Sequence, residues 1–180
     1  MEHLDVIIVG AGISGISAAV HLGKACPERS VGILERRENI GGTWDLFKYP
    51  GIRSDSDMHT LGFSFKPWRA EKSIADGPAI MQYLDETVDE YRLQESIRFS
   101  HKVVAAEWCS ADARWVLTVD QGEVQKQMSS NFLFMCSGYY SYDQPYNAQI
   151  PGIESFSGDV VHPQFWPESL DYRGKRVVVI

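Results

Sequence analysis

The sequence predicts an α/β fold, a doubly wound parallel sheet interrupted by an antiparallel excursion. Three features predict it. A β-branched run, Val6-Ile7-Ile8-Val9, passes directly into Gly10-Ala11-Gly12-Ile13-Ser14-Gly15. A carboxylate, Glu35, closes a second short apolar run. Three stretches between Val103 and Met128 alternate in character and are separated by turn residues.

Val6 to Val9 suits a strand buried on both faces. Ile13 to Lys24 reads as a helix, with Ile13, Ile16 and Val20 on one stripe and Cys26-Pro27 ending it. Val31 to Glu35 is the next strand, so the chain opens on a βαβ unit, whose crossover is almost always right-handed. From Arg36 to Gly77 the periodicity is lost, and Gly, Ser, Asp and aromatic residues dominate. Irregular stretches of such length are commonly functional. A helical turn is expected within this one, around His59 to Gly62. Asp76-Gly77-Pro78 is a helix start, a capping carboxylate with Pro in the first turn. Ile80, Leu84, Val88 and Tyr91 continue it at helical spacing.

Ile97 and Phe99 alternate with polar neighbours, as in a strand. Val103 to Cys109, Trp115 to Val119 and Val124 to Met128 are expected as successive antiparallel strands, turning at Ala111-Asp112-Ala113 and Gln121-Gly122. Phe132 to Cys136 is a continuous apolar run, expected as a buried strand broken at Gly138. Residues 139–174 are aromatic, Pro-containing and irregular, and read as a crossing segment. Lys175 to Ile180 is expected as a further buried strand. Such a strand needs something after it to cover its faces, and a bare one is an edge-pairing liability. The chain is therefore expected to be the N-terminal portion of a longer protein.

The 180 residues carry 17 Lys plus Arg against 24 Asp plus Glu, a formal charge of −7. An acidic chain makes a poor nucleic-acid binder, because neutralising phosphates takes clustered cations. Three cysteines, Cys26, Cys109 and Cys136, are odd in number and widely spaced. They suggest neither a disulfide framework nor a zinc site, and Cys109 and Cys136 are expected as buried apolar fillers. No apolar run approaches the roughly 18 residues of a membrane helix. The start, Met-Glu-His-Leu-Asp, lacks the basic region of a signal peptide, so the cytoplasm is the expected location.

The glycine motif gains its meaning from context, since it follows a strand and opens a helix. Gly10 permits the tight turn, Gly12 lets a pyrophosphate approach the backbone, and Gly15 lets helix and strand pack closely. The helix N-terminus adds free N–H groups and the positive end of its dipole. Glu35 would accept a hydrogen bond from a ribose 2′-OH and repel a 2′-phosphate, which suits FAD or NAD rather than NADP. Arg36 and Arg37 read as a solvated pair. Gly41-Gly42-Thr43-Trp44 follows, where paired glycines allow close approach of a cofactor. On the residues alone it is equally an ordinary glycine turn with Trp44 as a core anchor.

Two long motifs carry a resemblance. Gly41-Gly42-x-Trp44-x-x-x-x-Tyr49-Pro50-Gly51-x-x-x-Asp55 and Phe156-x-Gly158-x-x-x-His162-x-x-x-Trp166-Pro167 resemble those of Baeyer–Villiger monooxygenases, class B flavoproteins. Gly51-Ile52-Arg53-Ser54-Asp55-Ser56-Asp57-Met58 is most similar to the ethionamide-activating branch. The resemblance covers essentially the whole chain and implies an incomplete Rossmann-like FAD-binding domain. Residues 1–138 would be its N-terminal part, 139–174 the crossing segment, and 175–180 the first strand of an NADPH-binding domain.

The resemblance also implies roles. Gly10, Gly12, Ser14 and Gly15 would hold the pyrophosphate of FAD and Glu35 its ribose. Thr43, Trp44, Asp45 and Leu46 would line the flavin side, and Val103 would meet the adenine edge through its backbone. Arg53, Ser54 and Asp55 would face NADPH, with Asp55 the catalytic residue beside the flavin ring. His162 and Trp166 would brace the crossing segment. The implied reaction uses FAD, NADPH and O2, through a C4a-peroxyflavin, to oxidise a small ketone or sulfur-containing substrate. No nucleic acid, metal or transmembrane segment is implied, and peripheral membrane association is left open. A flavin disulfide reductase would need a cysteine pair after Gly41-Gly42, and Thr43-Trp44-Asp45-Leu46 holds none. The competing reading is a truncated, catalytically inactive nucleotide-binding module.

Overall fold

The computed structural model describes residues 1–180 and contains one six-stranded sheet. In chain order the elements are β1 (Glu2–Val9), α1 (Ile13–Ala25), β2 (Val31–Leu34), α2 (Thr43–Leu46), α3 (Met58–Leu61), α4 (Gly77–Glu90), β3 (Ile97–Arg98), β4 (Lys102–Cys109), β5 (Arg114–Gln121) and β6 (Val124–Met135). The sheet order is β3-β2-β1-β6-β5-β4. The first four of these are parallel, with Val6 opposite Val31 and Val9 opposite Leu34 and Met135. β4, β5 and β6 form an antiparallel meander.

The expected α/β class, Rossmann-like with an antiparallel excursion, is the class found. Alternation along β1 explains its two faces. Val6 and Ile8 point to one side, where Ile16, Ala19 and Val20 of α1 and Ile80, Leu84 and Val88 of α4 complete the main core. Ile7 points to the other, where the sheet curls so that Leu117, Val119 and Met128 close over it and Leu34. Both long helices thus serve one face, and the meander serves the opposite one.

α4 starts as its sequence dictates. The Asp76 side chain accepts from the Ala79 N–H at 3.0 Å, and Pro78 occupies the first turn. Tyr83 on its buried face accepts from the Phe63 N–H at 2.8 Å and donates to the Lys66 carbonyl, which pins the irregular 62–68 stretch to the helix. α3 is capped by Asp57, whose carboxylate accepts from the Thr60 N–H at 3.0 Å.

Three expectations are corrected. Val124 to Met128 and Phe132 to Met135 belong to one unbroken strand, β6, because β1 pairs with it from Met128 to Met135, takes over where β5 leaves off, and gives it no reason to stop at Ser129. Its far half is not buried: β5 pairs only as far as Ser130, and Phe132 is 55% exposed. Lys175–Ile180 forms no strand, since none of its residues pairs with another strand, and its apolar side chains are exposed. Cys109 and Cys136 are half-buried rather than fully buried; Cys136 packs against the main core, and Cys109 lies at the end of β4 beside Asp112. No helix is long and apolar enough to cross a membrane.

Candidate functional site

The carboxyl ends of β1, β2 and β6 converge at Gly10. Its N–H donates to the Leu34 carbonyl at 2.8 Å, and the Cys136 N–H donates to the Val9 carbonyl at 2.9 Å. Gly10 has φ +105°, and a Cβ there would lie 2.5 Å from the Cys136 carbonyl oxygen. A Cβ on Gly15 would lie 1.9 Å from the Gly10 carbonyl oxygen, so α1 sits directly on the turn that precedes it. These two glycines are required by the fold.

Gly12 differs. It caps α1 without any side-chain hydrogen bond, and no acidic residue occupies the first turn. The first N–H groups of a helix have no intrahelical acceptor, so this end is prepared for an anion. Opposite it lies the second glycine pair. The Gly41 N–H donates to the Ala11 carbonyl at 2.9 Å, and a Cβ on Gly42 would sit 3.2 Å from Gly12 Cα. Two stretches of bare backbone therefore face one another, with Ser14 exposed beside them.

Glu35 is 5% exposed, not a surface residue at a strand end. Its Oε2 accepts from the Ala11 N–H at 2.8 Å and its Oε1 from the Arg37 N–H at 2.9 Å. Each oxygen retains a further lone pair, since a carboxylate offers about four acceptor sites. Its carbonyl accepts from the His101 N–H at 2.8 Å. That bond draws the start of β4, and with it Val103, toward the site.

The α2 turn, carrying Thr43, Trp44, Asp45 and Leu46, follows Gly42. Trp44 packs against the main core. Asp45 is buried, with Lys48 Nζ 3.0 Å from its Oδ1. Arg37 lies 2.8 Å from Asp45 Oδ2 without the alignment of a hydrogen bond, so that buried oxygen has no hydrogen-bond partner.

Arg53, Ser54 and Asp55 lie on a separate loop. Ser54 is 2% exposed; its N–H donates to the Ala75 carbonyl at 2.9 Å and its hydroxyl to the Ser56 carbonyl at 2.6 Å. Arg53 and Asp55 are exposed. Phe47, just after the α2 turn, lies edge-on to Tyr140 at 4.9 Å and to Tyr49 at 5.9 Å. The Tyr140 phenol is raised above its ordinary range, first by its hydrogen bond with Tyr139, then by burial, with the charges of Tyr49 and Asp55 adding.

Four residues that the sequence reading did not single out for this site complete it. Arg37 reaches the Gly42 carbonyl at 3.5 Å and the Asp45 carbonyl at 3.4 Å. Tyr142 lies with its hydroxyl 4.0 Å from where a Gly42 Cβ would be, its phenol pushed up by burial and then by the Glu35 charge. Asp143 binds Arg36 at 2.5 Å. Buried Gln164 donates from Nε2 to the Ser141 and Tyr142 carbonyls, at 2.9 and 3.1 Å. The one advance signal was the dense polar and aromatic content just after Gly138. His162 acts within the same segment, its Nδ1 accepting from the Gln164 N–H at 3.2 Å and its Nε2 lying 3.2 Å from the Tyr146 carbonyl. Trp166 meets Tyr172 edge-on.

A facing pair of glycine turns, a helix N-terminus with free N–H groups and a buried carboxylate together suit a dinucleotide. Comparison with known proteins agrees. Residues 8–87 match the family model of an NAD(P)-binding Rossmann-like domain, and residues 69–180 match that of the flavin-binding monooxygenase-like family. The chain is 60% identical, over 99% of its length, to the FAD-containing monooxygenase EthA of Mycolicibacterium smegmatis. It is 53% identical to the probable FAD-binding monooxygenase AlmA of Acinetobacter baylyi. It spans only 36% of the length of each of these relatives. Among solved structures it resembles an oxidized steroid monooxygenase bound to NADP (30% identity, TM-score 0.79, 96% of this chain and 33% of that one). It likewise resembles a cyclohexanone monooxygenase bound to ε-caprolactone (26% identity, TM-score 0.81, 98% and 34%).

Proposed function

Because the chain belongs to the flavin-binding monooxygenase-like family, we propose that its residues form the FAD-binding portion of an NADPH-dependent monooxygenase. The substrate class would be a small ketone or a sulfur-containing compound, oxidised with O2. The observation that carries the reading is the bare backbone of Gly12 facing Gly42 beside Glu35.

Bound there, FAD would carry electrons from NADPH to O2. The chain's own residues have distinct tasks. The α1 N-terminus with Gly12 and Ser14 holds the pyrophosphate, while Gly10 and Gly15 fix the turn. Glu35 uses its remaining lone pairs for the ribose hydroxyls, and Val103 meets the adenine edge. Thr43, Trp44, Asp45 and Leu46 wall the flavin side. Arg53, exposed on the loop, would face NADPH, and buried Ser54 would fix that loop from beneath through its bonds to Ala75 and Ser56. Asp55, exposed on the same loop, would bring a carboxylate beside the reacting centre, where it would orient a cation; preorganised charges of this kind strongly affect rate. In domain terms, residues 1–138 are the FAD-binding part, 139–174 the crossing segment, and 175–180 the entry to an NADPH-binding domain.

The test is titration of the purified chain with FAD, followed by quenching of flavin fluorescence and induced circular dichroism of the flavin band. Saturable binding is expected, competed by ADP. A chain with native-like far-UV circular dichroism that binds neither would refute the reading.

A further inference from the structure

We propose that Asp143 sets the cofactor preference of the first nucleotide site by taking Arg36 and Lys102 away from a ribose 2′-phosphate. The inference deepens the FAD assignment above and rests on it. In dinucleotide folds an acidic residue at the end of the second strand receives a free 2′-OH, and a nearby arginine accommodates a 2′-phosphate. This chain carries both kinds side by side, in Glu35, Arg36 and Arg37. Glu35 alone therefore does not decide the preference; what matters is whether the arginines are free.

They are not. Arg36 meets Asp143 through two nitrogens, on two different carboxylate oxygens, at 2.5 and 3.2 Å. This fork-to-fork geometry is the strongest arrangement open to the pair. Lys102, at the start of β4, lies 3.1 Å from Asp143 Oδ2. The Tyr142 ring covers the Arg36 guanidinium at 5.2 Å. Arg37 turns inward to Asp45 at 2.8 Å. Each of these three cations is thus already matched with a carboxylate. Arg36 and then Lys102 hold the Asp143 carboxyl down to about 2, so it stays charged at neutral pH. The turn that presents it is fixed from behind by Gln164, through the Ser141 and Tyr142 carbonyls. A protein that draws on NADPH elsewhere needs its FAD site to refuse that molecule. Glu35 supplies the repulsion, and Asp143 removes the attraction.

The test compares ADP-ribose with its 2′-phosphorylated form, by calorimetry on the purified chain at low ionic strength. The unaltered chain is expected to favour ADP-ribose. Asp143→Asn should raise the affinity for the phosphorylated probe about tenfold relative to that for ADP-ribose, as a freed charged donor allows. Asp143→Ser removes the same charge independently and should give the same shift. Asp143→Glu should restore the original ratio, and adding Arg36→Gln to Asp143→Asn should abolish the gain. The gain should shrink as salt is raised. An unchanged ratio in Asp143→Asn and Asp143→Ser, with ADP-ribose still bound, overturns the role of Asp143 and leaves the FAD reading standing. Failure of the unaltered chain to bind ADP-ribose overturns both.

Discussion

Replacing Gly12 by alanine should separate folding from binding. The backbone at Gly12 is extended, with φ −79° and ψ −173°, a conformation alanine adopts freely. A Cβ there would meet only Gly42, at 3.7 Å from its Cα, which is ordinary contact. The cost to the ligand-free fold is then that of a poorer helix cap, about 0.5–1 kcal/mol. Gly10→Ala is the contrast. It combines a positive φ, about 1–2 kcal/mol, with a Cβ 2.5 Å from a backbone oxygen. Overpacking of that kind adds about 1–3 kcal/mol. Urea unfolding followed by far-UV circular dichroism reads the difference. With a slope near 2 kcal/mol/M, the midpoint should fall by less than about 0.5 M for Gly12→Ala and by more than about 1 M for Gly10→Ala. FAD affinity should invert the order of concern: the Gly12 methyl occupies the space between the two glycine turns, and overpacking there should weaken binding roughly 5- to 150-fold. A Gly12→Ala chain that binds FAD normally, or that loses as much stability as Gly10→Ala, would refute the division of roles.

Glu35→Gln should destabilise the ligand-free chain by about 1–3 kcal/mol, because one buried N–H loses its acceptor, as well as weaken FAD binding; equal urea midpoints for the two chains would contradict this. Acid stability should depend on Asp5, whose carboxyl is held from its ordinary 3.8 to about 2, chiefly by bonds from Ser30 and then Arg29. Between those values the unfolded chain binds more protons, so stability rises with pH. The contribution is complete above 3.8 and is lost as pH falls toward 2. Asp5→Asn should flatten the urea midpoint across that window, and a slope identical to that of the unaltered chain would count against it.

The βαβ opening was legible because one signal, a β-branched run followed by spaced glycines, has few other structural uses. The α4 start was legible from Asp76 and Pro78, since capping is local chemistry. The continuity of β6 was not. Ser129 and Ser130 look like a break in an apolar run, yet both are buried, and β1 holds their backbone in the sheet. The last six residues show the converse: Val177-Val178-Val179-Ile180 has the composition of a strand, but strand structure belongs to a pair, and pairing is absent from composition. At the site, the motif positions were readable one at a time. Asp143 was not, because its partners Arg36 and Lys102 lie 107 and 41 residues away. Glu35 was read as a ligand contact, whereas its bonds to Ala11 and Arg37 make it equally a fastening of the glycine turn.

The position of β1 between β2 and β6 has a consequence for how the chain is made. One flank of β1 finds its partner within the first few dozen residues. The other must wait for β6, and the His3–Ser129 contact spans 126 residues. At ribosomal rates of about 5–20 residues per second, that interval is roughly 6–25 s. Throughout it, an apolar strand is displayed with half of its backbone groups unmatched. Closure of the sheet is therefore timed by translation rather than by the intrinsic speed of strand pairing, and the growing polypeptide offers chaperones a long-lived target at β1.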